Sequence, residues 1–183
     1  MNWNWHGNLA NKHADFSPSQ PAWLRYDDER VLQYRENKLA AARGTRLHAV
    51  AKDLIELKIR QARSKKTFNA YVNDAIGYRM DPEVTLVYSD RFFGTADTIS
   101  FENNFLRIHD LKTGTGPIHE EQVFVYAALF CLEYGYRPAD IQIELRIYQN
   151  DEVRVFVPDP VEIMDIMENI KHKDRLLQES EAV

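Results

Sequence analysis

Apolar and polar positions change their period several times along this chain, and the changes divide it into elements. Over residues 36–63 the spacing is helical. Ala41, Thr45, Ala51, Ile55, Ile59 and Ala62 fall on one side of a wheel centred on His48, with Arg43, Arg46 and Arg60 turned away. A basic connection, Arg63-Ser64-Lys65-Lys66, leads to a short second helix from Thr67 to Ile76, closed by Gly77. Three strands are expected next, at about 83–89, 92–101 and 105–112, the last two joined by Glu102-Asn103-Asn104. Gly114, Gly116 and Pro117 break either regular form, so Lys112–Pro117 is a turn. A helix over about 119–135 follows. Ile141–Tyr148 then alternates as a half-buried strand, Gln149–Glu152 turns, and Val153–Val157 returns. Residues 161–178 complete the pattern as an amphipathic helix, with Lys171, Lys173 and Arg175 placed to complement its dipole.

At the N-terminus, Ser17 with Pro18 and Pro21 suits the opening of a helix. Residues 1–16 carry Trp3, Trp5, His6 and His13 among polar neighbours. They read as an arm that docks on its own domain, on another subunit or, by stacking, on an unpaired base. The order α, βββ, α, ββ, α predicts an α/β fold, a mixed central sheet flanked by helices. The expected organisation is the arm, 1–16, and one domain, 17–183.

Polar residues interrupt this pattern where a core is expected. Asp97 lies inside a β-like run, and Asp110 and Lys112 close the next one on the same face, with Leu111 on the other. Pairing the two strands through the 102–104 turn would bring both carboxylates beside one lysine. Charges on a buried sheet face need a partner or a metal ion. Such a group suits phosphodiester chemistry, with Asp97, Asp110 and the Leu111 carbonyl as oxygen ligands for Mg²⁺ or Mn²⁺. His48 sits on the apolar helix stripe, where a histidine is either a satisfied core residue or a ligand. Gln122 and Tyr126, at i and i+4, share one helix face.

Length and charge limit the reading further. The 183 residues are enough for one real core, and 44% hydrophobic with 28% charged content is ordinary for a globular protein. The single cysteine, Cys131, cannot form an internal disulfide, and no segment resembles a membrane span or a secretion signal, so a cytoplasmic protein is expected. The net charge of −5 is uneven. Arg35–Lys66 holds ten Lys/Arg against three Asp/Glu, leaving −12 on the rest. That segment is either a solvated mixed face or a local attractor for a polyanion.

Four motifs in order give the chain a family resemblance. Gly44-Thr45-Arg46-Leu47-His48, Gly94-Thr95-Ala96-Asp97, Asp110-Leu111-Lys112 and Gln122-Val123-Phe124-Val125-Tyr126 resemble the RecB-type branch of the PD-(D/E)XK nucleases, whose pattern is GxxxH, G-x-x-D, D-x-K and Q-x-x-x-Y. The resemblance covers roughly Ser17 to Val157 and is nearest to small stand-alone phage and CRISPR-adaptation nucleases. It implies a restriction-endonuclease-like αβββαβ core and metal-dependent hydrolysis of DNA, preferably from ends. A nicking or structure-selective endonuclease and a non-catalytic scaffold are the alternatives. It makes Asp97, Asp110, Lys112, Gln122 and Tyr126 catalytic, and His48, Asp97, Asp110 and Leu111 metal-binding. Arg43, Arg46, Lys52, Thr113, Gln122 and Tyr126 become candidate DNA contacts. Lys52 departs from relatives that carry an acid there. The implied partners are linear duplex or single-stranded DNA, a recombination or replication protein, and further copies of the chain, in a bacterial host cell.

Overall fold

The computed structural model describes residues 16, 18 and 21–181. The chain forms two compact units, 1–45 and 46–183. The N-terminal arm up to residue 15 and Ser17 lie outside the described residues.

In the first unit a 3-10 helix, Pro21–Arg25, precedes the start of α1 (Asp28–Glu56). Asp27 caps α1, its Oδ1 accepting the Arg30 N–H at 2.9 Å, and Asp28 and Glu29 favour the positive end of the helix dipole. The helix thus begins well before residue 36, and Pro21 opens the 3-10 turn rather than α1. Phe16, Trp23, Tyr26 and Tyr34 form a chain of ring contacts beside it.

The second unit is an α/β layer structure. A five-stranded mixed sheet runs in the order β1 (Asp81–Val87), β2 (Phe93–Glu102), β3 (Phe105–Leu111), β4 (Gln142–Gln149), β5 (Glu152–Phe156). Only the β3–β4 pair is parallel, and α3 (Glu121–Tyr134) makes that crossover. Two short turns use left-handed asparagine or aspartate pairs: Asn103-Asn104 (φ 52° and 59°) and Asn150-Asp151 (φ 51° and 60°). With α4 (Pro160–Glu181), α3 covers one side of the sheet over a core that includes Leu106, Ile108, Leu145, Ile147, Val123 and Ile163. The second helix, α2 (Thr67–Gly77), packs with the C-terminal part of α1 on the other side, around Tyr71, Val72, Leu111 and Tyr148. Cys131 is buried in the first core, and burial pushes its thiol up to about 11.

Three predicted boundaries move, each for a local reason. α1 ends at Glu56, not residue 63. Ile59 N–H reaches the Leu54 carbonyl and Lys58 N–H the Ile55 carbonyl, a Schellman closure with Lys58 in the left-handed region at φ 55°. The end of α2 repeats it with Arg79 (φ 55°), so Gly77 lies inside the last turn and is not the stop signal. α4 starts with a capping box, Val161 N–H on Asp159 Oδ1 and Asp159 N–H on Glu162 Oε2. It runs on to Glu181, so Lys171, Lys173 and Arg175 fall short of its last turn. Among the described residues no helix is long and apolar enough to cross a membrane.

Candidate metal centre

The site is built where the strand period fails. Gly94 lies so close to α3 that an added Cβ would sit 2.9 Å from Tyr126 Cε1, which places Gly94 on the α3 side of β2. Phe101, seven residues on, packs its ring 5.0 Å from Phe130, also on α3. Regular alternation puts residues an odd number apart on opposite faces, so β2 must slip by one between them. Ala96 and Ile99 both belong to the α3-side core, which confines the slip to Asp97-Thr98. On β1 the register passes from Pro82↔Thr98 to Val84↔Ala96, leaving Glu83 across from Asp97. Glu83 has φ 54°, an unfavourable backbone for a non-glycine residue, and such strain concentrates at functional sites.

Three donors converge on this irregularity. One ligand atom from each of His48, Glu83 and Asp97 lies within 4.8 Å of the others. His48 Nδ1 is 3.4 Å from Asp97 Oδ1, and that hydrogen-bonding carboxylate raises the imidazole pKa above its usual value although burial opposes it. The other Asp97 oxygen, Oδ2, accepts the Leu111 N–H at 2.8 Å. Leu111 is therefore tied to the cluster by its N–H. Buried Tyr71 on α2 also faces the group: burial first, then the charge on Asp97, holds its phenol protonated well above the ordinary range.

Asp110 stands one step beyond the Thr98↔His109 pair of β2 and β3, and only 2% of it is exposed. Burial and then the Asp97 charge raise its pKa, while Lys112 and His48 pull the other way. Lys112 Nζ donates to Asp110 Oδ1 at 3.1 Å and lies 2.9 Å from Oδ2, yet Oδ2 receives no directed hydrogen bond. The same ammonium donates to Gln122 Oε1 at 2.5 Å, and Gln122 Nε2 reaches the Tyr126 hydroxyl at 3.3 Å. The four residues form a chain from sheet to α3. Gly94 leaves room for its last member.

Charge decides what this arrangement can hold. Exposed Glu83 and the more buried Asp97 and Asp110 bring three carboxylates to this region against one ammonium, so two negative charges are unbalanced when all three are ionised and His48 is neutral. A divalent cation held by His48, Glu83 and Asp97 supplies that balance, while Asp110 lies outside that triad, paired with Lys112. The residues present fit such an ion.

Of the residues singled out from sequence, His48, Asp97, Asp110, Leu111, Lys112, Gln122 and Tyr126 are brought together. Thr113 is exposed in the following turn. Lys52 pairs with Glu56 at 3.9 Å on the same helix. Arg46 is exposed on α1, and Arg43 is exposed in the first unit. Glu83 is the member that sequence reasoning does not find. No motif spacing marks it, and only the β1–β2 register, joined across a five-residue loop, reveals it. No known family model, curated protein or solved structure matches the chain.

Proposed function

We propose that the protein is a divalent-metal-dependent deoxyribonuclease of the RecB-type PD-(D/E)XK kind, acting from DNA ends. The observation that carries this reading is the His48–Glu83–Asp97 cluster, with the buried Asp110–Lys112 pair joined to it through the Leu111 N–H on Asp97. His48, Glu83 and Asp97 would hold the metal ion, with Asp110 beside them. The mixture of imidazole and carboxylates favours Mn²⁺, with Mg²⁺ as the other candidate. When bound, the ion polarises a phosphate oxygen and acidifies a coordinated water.

The chain's own groups supply the rest. Lys112, fixed between Asp110 and Gln122, presents an ammonium where negative charge develops on phosphorus. Tyr126 keeps its proton, because burial raises its pKa, and so serves as a donor. Gln122 holds both in register. Water adds to phosphorus, one P–O bond breaks, and the departing oxygen takes up a proton. A cytoplasmic setting, DNA recombination or replication partners and a homo-oligomer belong to the same proposal.

The test incubates end-labelled linear, single-stranded and covalently closed circular DNA with Mn²⁺, Mg²⁺ or EDTA. Linear DNA should be degraded from its ends with metal alone, and Lys112→Ala should lower the rate at least about 100-fold, as removal of a charge-stabilising donor does. Cleavage of closed circles would replace the exonuclease with an endonuclease. Absence of any cleavage, with no Mn²⁺ binding by calorimetry, would leave the scaffold alternative.

A further inference from the structure

The connection between α1 and α2 carries a second functional element that the metal centre does not use. Residues 58–66, Lys-Ile-Arg-Gln-Ala-Arg-Ser-Lys-Lys, hold five cations and no acid on a chain of net charge −5. Lys58, Arg60, Arg63, Lys65 and Lys66 are all exposed, and none makes an ion pair within the described residues. Lys52, Lys112 and Lys171 of the second unit do pair, with Glu56, Asp110 and Glu168. Five like charges over at most about 30 Å of chain repel one another, and a free connection would relax by moving.

This connection is held. Asn73 on α2 grips Gln61 from both sides of its peptide, accepting its N–H at 2.8 Å and donating to its carbonyl at 3.0 Å. Asn69, one helical turn earlier, donates to the Ala62 carbonyl at 3.0 Å and to Ser64 Oγ at 3.1 Å. At the far end Asp151, from the β4–β5 turn, accepts the Thr67 N–H at 2.9 Å. The ribbon's backbone is therefore held along α2, with its five cations exposed. Beside it lies an open recess of about 700 Å³ lined by Arg60, Arg63, Ser64 and Asn73, whose one acid, Asp74, is paired with Arg146.

We propose that this ribbon is a phosphate-binding track for a polynucleotide backbone, engaged independently of the metal ion. Exposed cations without ion pairs, carried on a held backbone, suit an extended anion with regularly spaced charges. They do not suit an apolar partner. The choice of a nucleic acid deepens the nuclease reading and rests on it, but the track's own test needs neither metal nor cleavage.

The full chain is titrated in EDTA with fluorescein-labelled single-stranded and duplex DNA, over a range of salt concentrations. The variant Arg60→Gln/Arg63→Gln/Lys65→Gln/Lys66→Gln should bind at least one of them about tenfold or more weakly. Its log K against log salt slope should flatten by about 0.7–0.9 for each phosphate that is no longer neutralised. A control variant, Arg137→Gln/Arg154→Gln/Lys173→Gln/Arg175→Gln, removes the same charge from other exposed sites and should keep affinity and slope. Equal weakening in both variants, unchanged binding in the first, or equally tight binding of polyglutamate of matched charge would each overturn the track. Unfolding curves guard against a misfolded variant, with Arg63→Gln/Lys65→Gln as the milder substitute. A failed nuclease assay with an intact track would refute the active site alone.

Discussion

Two clusters of charge, most of it partly or fully buried, share the second unit, and they are finished to different degrees. Between α2 and the β3–β4 pair, Arg146 donates to Asp74 Oδ2 at 3.1 Å, to Glu144 Oε1 at 3.1 Å and to the Tyr78 hydroxyl at 3.0 Å. Arg107 lies 3.4 Å from Glu144 and stacks over Tyr78 and Phe105. Two arginines meet two acids, and the sum is neutral. Tyr148 completes the network by donating to Asp74 Oδ2 at 2.7 Å, so its oxygen must accept a proton from His109 Nδ1 at 3.2 Å. That fixes the His109 tautomer and leaves its buried Nε2 as an acceptor with no donor. The candidate metal centre, by contrast, is two charges short of balance when His48 is neutral, and it includes a strained backbone at Glu83. The first cluster closes its charge, although the buried Arg107 Nε and His109 Nε2 have no partner. The second leaves its charge open.

The comparison can be broken from the closed side first. Arg146→Ala should destabilise the fold by about 1–3 kcal/mol, because it leaves Asp74 with the Tyr148 hydroxyl alone and Glu144 with Arg107 alone. Urea unfolding measures it, and a change under about 1 kcal/mol would mean that the network is not closed in solution. Next comes the open side. Asp110→Asn removes a carboxylate whose pKa the fold raises, so metal-free stability at pH 7 should hold or rise. Mn²⁺ at about 100 times its Kd should add about 2.7 kcal/mol to the native chain and much less to Asp110→Asn. Equal stabilisation of both would separate Asp110 from the ion.

Acid tests the closed cluster again. His109 is held neutral, chiefly by burial and then by Arg146 and Arg107, with its pKa lowered to about 3 against 6.5 for a free imidazole. The unfolded chain then binds one more proton between those values. Its contribution is complete above about pH 6.5 and is lost as pH falls towards 3, at up to about 1.4 kcal/mol per unit. The native-minus-His109→Gln difference in stability should show this slope, and parallel curves would reject it. The smallest effect concerns the helix ends. Lys58→Gly should stabilise the fold by up to about 1 kcal/mol by relieving a left-handed lysine, as read by thermal unfolding.

Much of this is legible because the chain keeps strict local rules over long runs. Ile141–Tyr148 alternates and is β4, Gly135 ends α3 at φ 73°, and the two hairpin turns announce themselves by composition. The motif residues of the site can be named for the same reason. What escapes depends on exceptions. Lys58 and Arg79 occupy positions that glycine normally marks, so the pattern alone makes α1 too long. The slip at Asp97-Thr98 leaves no trace in residue type, and Glu83 faces Asp97 only through the long-range β1–β2 register. Propensity cannot foresee a backbone held against its preference by tertiary contacts.

Gly94 makes the metal centre separable from its lysine. A single methyl group there would meet the Tyr126 ring at 2.9 Å and oblige it to retreat by several tenths of an ångström. The ring would carry Gln122 with it, and Gln122 would carry the Lys112 ammonium. That route ends on Lys112 and its partner Asp110, while His48, Glu83 and Asp97 lie off it. Position 94 therefore works as a set-screw, able to detune the ammonium while the triad stays where it is.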